Sequence, residues 1–95
     1  MPYLIMYDIK SNKLRSRIRK TCRKSYFIKL QKSVYIGDKH YNKLVKKLSA
    51  LMLDKSENDH LMCIKINYSR LQESKQFGME FPFSLYDDKD KWVII

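Results

Sequence analysis

One carboxylate, Asp8, ends the apolar run Tyr3-Leu4-Ile5-Met6-Tyr7, and Arg15, Arg17, Arg19 and Arg23 follow within one helix length. An acid at the end of a core strand, facing a wall of cations, suits phosphate chemistry. The acid can hold a divalent metal, and the arginines can neutralise a phosphodiester. Magnesium takes oxygen ligands at about 2.0–2.1 Å and keeps several waters, so one or two carboxylates plus a substrate phosphate suffice; manganese is the other expected ion. Such a metal would activate water and stabilise charge on the transferring phosphoryl group. One Asp8 per chain is thin. A two-fold axis near the end of the strand would bring two Asp8 carboxylates together, at the cost of mutual repulsion when no metal is bound. The competing reading is structural, with the Asp8 charge steadying the N-terminus of the next helix. No second acid is near in sequence, no His-x-x-x-His or Asp-x-Asp pattern occurs, and no general base is evident.

The remaining candidates divide between chemistry and packing. Arg15, Arg17, Arg19 and Arg23 either line a phosphate-binding face or are a solvated one. Tyr7, Phe27, Tyr35 and Tyr41 read as core aromatics rather than base-stacking platforms. His40 and His60 have no spaced partner and read as surface or capping residues. No Gly-x-Ser-x-Gly elbow surrounds Ser33, which reads as a turn or strand residue.

Charge narrows the class of partner. Residues 1–47 hold 14 Lys and Arg against Asp8 and Asp38 (+12), whereas residues 48–95 hold 6 against 8 acids (−2). A basic half favours a polyanion, because each cation that neutralises a phosphate releases condensed counterions. At 95 residues the chain is expected to be a single domain and, alone, only marginally stable, so dimerisation would help. Cys22 and Cys63 are too few and too distant for a disulfide framework or zinc site and should pack as small apolar residues. No long apolar run and no leader pattern is present, so a cytoplasmic protein without a membrane segment is expected.

These residues must be positioned by alternating strands and helices. Residues 3–9 read as a strand buried on both faces. Ser11 can cap a helix over about 12–25 whose narrow stripe is Leu14, Ile18 and Cys22. Phe27 to Ile36 follows period two, broken at Gln31-Lys32-Ser33, which predicts two short strands or one bent one. Asp38 is expected to cap a second helix carrying Tyr41, Leu44, Val45, Leu48, Leu51 and Met52 at helical spacing. Leu61 to Ile66 reads as a further strand, followed by a short helix around Leu71. Pro82 places the extended segment 81–86 at an edge, and the tail Trp92-Val93-Ile94-Ile95 is expected to pair with a partner. The order strand, helix, two strands, helix, strand predicts an α+β ferredoxin-like βαββαβ sandwich. Residues 1–66 would form the core and 67–95 a C-terminal extension with an additional strand.

Tyr-Leu-Ile-x-Tyr-Asp-Ile at 3–9, Arg-x-Arg at 15 and 17, and Leu-Gln-Lys-Ser-Val-Tyr-Ile-Gly at 30–37 resemble CRISPR-associated protein 2, the small subunit of the CRISPR adaptation machinery. The likeness covers roughly residues 1–66. It implies a homodimer of ferredoxin-like protomers joined through their sheets, with C-terminal strands extending the partner's sheet. It implies a metal-dependent endonuclease on RNA or double-stranded DNA, and a scaffold bridging two integrase dimers during spacer acquisition. Asp8 would be the catalytic, metal-binding carboxylate and Tyr7 its motif neighbour; Arg15 and Arg17 would be the helix cations. Lys29 stands where an Arg often appears, without the bidentate grip on phosphate, and Tyr35 where Phe is common. The alternative is a stand-alone, toxin-like metal-dependent endoribonuclease of the same fold. A single-stranded RNA binder of the RNA-recognition-motif type fares worse, since its glycine- and aromatic-rich central strand is missing.

Overall fold

The computed structural model describes residues 2–78. Expectations for residues 81–95, including the edge segment at Pro82 and the partner-pairing tail, lie outside the described residues. The elements are β1 (Tyr3–Asp8), α1 (Asn12–Lys24), β2 (Ile28–Gln31), β3 (Val34–Gly37), α2 (Tyr41–Leu51) with a 3₁₀ turn at Met52–Asp54, β4 (His60–Lys65) and α3 (Tyr68–Gln72). The four strands form one antiparallel sheet in the order β2-β3-β1-β4. This α+β arrangement is consistent with the expected ferredoxin-like order.

Strand β1 lies at the centre of the sheet and alternates its side chains between two apolar faces. Ile5 and Tyr7, with Ile9 just beyond, join Leu14, Ile18 and Cys22 of α1 and Leu44 and Leu48 of α2 in the main core. Leu4 points the other way, into a smaller cluster with Ile36, Leu30, Ile66, Tyr68 and Leu71, so α3 covers one end of the second face. Cys22 is buried and Cys63 half-buried, both as free thiols.

The first helix starts where Ser11 predicts: its hydroxyl accepts from the Leu14 N–H at 3.2 Å. It ends less predictably. The Phe27 N–H reaches the Cys22 carbonyl and the Tyr26 N–H the Arg23 carbonyl, both at 3.0 Å, while Tyr26 sits at φ 65°. This is a Schellman closure with a tyrosine in the left-handed position that glycine usually takes. Phe27 is thereby turned into the core, over Gly37, where a Cβ would lie 2.5–2.8 Å from its ring atoms.

The Asp38 cap is corrected. The N-cap of helix α2 is His40, itself left-handed at φ 63°, and its side chain makes no capping hydrogen bond. The expected break at 31–33 is real: β2 and β3 are separate strands, with a register shift between Lys29 and Gln31.

Candidate phosphate-binding cleft

Four segments converge at the end of β1. The Tyr7 N–H donates to the Ser33 carbonyl at 3.1 Å, fastening the β2–β3 turn beside β1. On the other side, the Lys10 N–H donates to Asp59 Oδ1 at 2.9 Å and the Ser56 N–H to Asp59 Oδ2 at 2.8 Å, fixing the exit of β1 against the entry to β4. Between these fastenings lies a cleft of about 530 Å³ lined by Tyr7, Asp8 and Ile9, by Asn12, Arg15, Ser16 and Arg19 of α1, and by Lys29, Lys32 and Ser33. Four cations therefore share one cleft with one carboxylate.

Asp8 is exposed, and among the described residues its carboxylate makes no hydrogen bond or ion pair. Ser11 caps α1, and Asp59 holds the turn backbone. The N–H groups of Lys10 and Ser56 hold the Asp59 carboxyl below its ordinary value. The β1–β4 register sets Asp8 directly opposite His60, also exposed.

One aromatic residue, Tyr7, lines the cleft. Tyr7, 8 % exposed, lies beside Tyr35, 0 % exposed, with ring centroids 6.4 Å apart and nearly parallel. Burial, then the neighbouring Tyr35, pushes the Tyr7 phenol up to about 12, so at neutral pH it offers a proton donor and no base. Burial likewise raises Tyr35, opposed by the charges of Arg23 and Arg19. The Tyr7 hydroxyl is near enough to influence Tyr35, yet the approach falls outside hydrogen-bond geometry, and Tyr35 Oη is a buried hydroxyl without a hydrogen-bond partner among the described residues.

The cleft gathers Tyr7, Asp8, Arg15, Arg19 and Lys29 of the residues expected from sequence. It does not gather Arg17, which is exposed two positions, or about 200°, around α1 from Arg15. Arg23 extends the Arg15–Arg19 row by one more turn outside the lining, and is exposed. Tyr35 is wholly buried and belongs to the core. Asn12, Ser16, Lys32 and Ser33 were missed as lining residues. The break in the β2–β3 pattern carried a usable signal for Lys32 and Ser33, because a turn must follow it.

Residues 1–74 match the family CRISPR associated protein Cas2. The chain belongs to this family. Membership gives the protein a CRISPR-associated role and carries no residue assignment by itself. No curated protein matches the chain. Among the described residues of this Cas2-family chain, no helix is long and apolar enough to cross a membrane, and no three His, Cys, Asp or Glu side chains gather as a metal cage. Among the described residues the Asp8 carboxylate makes no hydrogen bond or ion pair and is an oxygen donor of the kind that suits magnesium, which keeps several of its own waters.

Proposed function

We propose that the protein acts in CRISPR spacer acquisition as a cytoplasmic homodimeric scaffold. It would hold double-stranded DNA by its backbone and dock integrase dimers, and Asp8 would serve as the metal-binding carboxylate of an endonuclease on DNA or RNA. The observation that carries this reading is the cleft itself: Arg15, Arg19, Lys29 and Lys32 line it together with an Asp8 whose carboxylate makes no hydrogen bond or ion pair among the described residues.

In this reading Arg15 and Arg19 grip a phosphate from the helix side and Lys29 and Lys32 from the strand side. The Tyr7 hydroxyl is available as a donor to a phosphate or sugar oxygen. When bound at Asp8, a magnesium ion supplies charge neutralisation on the phosphoryl group and acidifies a water. Base-edge contacts are not part of the proposal, so binding is indifferent to sequence. Dimerisation is supported by the part of the second sheet face beyond α3, where among the described residues Met6 and Val34 are half-buried and Met62 is 39 % exposed.

The deciding experiment compares highly purified wild type with Asp8→Ala. Magnesium-dependent cleavage should disappear while duplex binding persists. Cleavage that continues unchanged removes Asp8 from any catalytic role and leaves the scaffold alone. Loss of integrase binding on deletion of residues 82–95, with Asp8 intact, would assign docking to the C-terminal segment.

A further inference from the structure

Fifty-two positions separate Asp8 from His60 in the chain, yet the antiparallel pairing of β1 and β4 makes them direct cross-strand neighbours at the end of the ladder. Directly opposed residues share one face of a sheet, with Cβ atoms about 4.5–5.5 Å apart. A carboxylate and an imidazole on such a base can converge on one ion, since their bonds to a small divalent metal are each about 2.0–2.2 Å. Both side chains are exposed, and neither has a hydrogen-bond or ion-pair partner among the described residues. Asp59, next to His60, is held in place by two backbone N–H groups.

We propose that Asp8 and His60 together form a mixed carboxylate–imidazole site for one divalent first-row transition ion. The inference rests on the reading of Asp8 as a metal ligand and adds a nitrogen donor to it. The consequence is selectivity. Magnesium is served by oxygen donors and gains little from an imidazole, whereas affinity of a nitrogen-containing site rises from manganese to cobalt. Water would complete the coordination shell.

The test uses the full-length chain without nucleic acid, as wild type, Asp8→Asn and His60→Gln, with circular dichroism confirming that all three fold. Calorimetric titration with Co²⁺, Mn²⁺ and Mg²⁺ should give that order of affinity in wild type. Even an outer-shell partner is worth about 10–100-fold in metal affinity. His60→Gln should therefore weaken Co²⁺ and Mn²⁺ by about tenfold or more while leaving Mg²⁺ nearly unchanged, and Asp8→Asn should weaken all three. Pulsed electron paramagnetic resonance of the Mn²⁺ form should show nitrogen modulation that disappears in His60→Gln; the only other imidazole, His40, remains in that variant. If Asp8→Asn abolishes binding but His60→Gln keeps both affinity and nitrogen modulation, the imidazole ligand is rejected and the Asp8 reading stands. If wild type binds none of the ions, or Asp8→Asn binds them undiminished, both fall.

Discussion

Removing the Asp59 carboxylate takes away the acceptor of two backbone N–H groups, from Lys10 and Ser56, whereas removing that of Asp8 breaks no hydrogen bond or ion pair within the described chain. Asp8→Asn should consequently leave the urea midpoint at neutral pH within about 0.5 kcal/mol of wild type, and Asp59→Asn should lower it. Their acid behaviour should differ as well. The folded-state ionisation of Asp59 lies below its ordinary 3.8, so its stabilisation is present above that pH and is lost as pH falls below it. An Asp59→Asn variant should lack that part of the acid-unfolding slope. At the alkaline end the sign reverses. Burial, helped by the neighbouring Cys63 thiol, pushes Cys22 from 9.0 to about 12. The unfolded chain then loses its thiol proton first, so stability is complete below pH 9 and declines as pH rises towards 12. Urea midpoints measured across that interval should fall for wild type and fall less steeply for Cys22→Ala, whose neutral-pH stability is lower because of the cavity it leaves.

Phe27 is held in the core because the Schellman turn at the end of α1 aims it there and because Gly37 in β3 offers a surface without a side chain. Gly37→Ala would drive a methyl into the buried ring, with backbone on both sides resisting. Its destabilisation should be about 1–3 kcal/mol by urea denaturation; an unchanged midpoint would mean that the ring can move aside. Neither half of this arrangement was readable from sequence, since a left-handed Tyr26 has no local signature and the packing of ring on glycine is tertiary. By contrast, α1 was readable because its cap and stripe are local: Ser11 accepts from Leu14, and Leu14, Ile18 and Cys22 recur every four residues. The strand order followed from the alternation of periods. Asp38 misled because capping propensity ignores the backbone, which turns left-handed at His40 and starts the helix there. Of the site, Asp8, Arg15 and Arg19 were legible from one stretch of chain. Lys32 and Ser33 enter through a turn, and His60 through a register 52 residues away. The Arg-x-Arg pair looked like a unit, but spacing by two divides it between the cleft and an outward face.

At the scale of the whole molecule, the sheet face beyond α3 and the basic cleft make linked claims. A charge at Met62, as in Met62→Lys, should shift sedimentation equilibrium from dimer towards monomer if the sheets meet there; an unchanged dimer would move the interface elsewhere. Salt dependence then reports how many copies of the cleft one duplex uses. Each phosphate that is no longer neutralised reduces the slope of log K against log salt by about 0.9. In a two-fold dimer every substitution occurs twice. Arg15→Ala or Arg19→Ala should therefore flatten the slope by about 1.8 if one duplex engages both clefts, and by about 0.9 if it engages one. Arg17→Ala, outside the cleft, should leave the slope unchanged if the cleft alone tracks the backbone. Combining Met62→Lys with Arg15→Ala separates geometry from charge: once the protomers are apart, the same arginine should reduce the slope by only the single-phosphate value. A reduction of about 1.8 in both monomer and dimer would show that Arg15 touches two phosphates from one protomer, and the duplex would not need the dimer to span it.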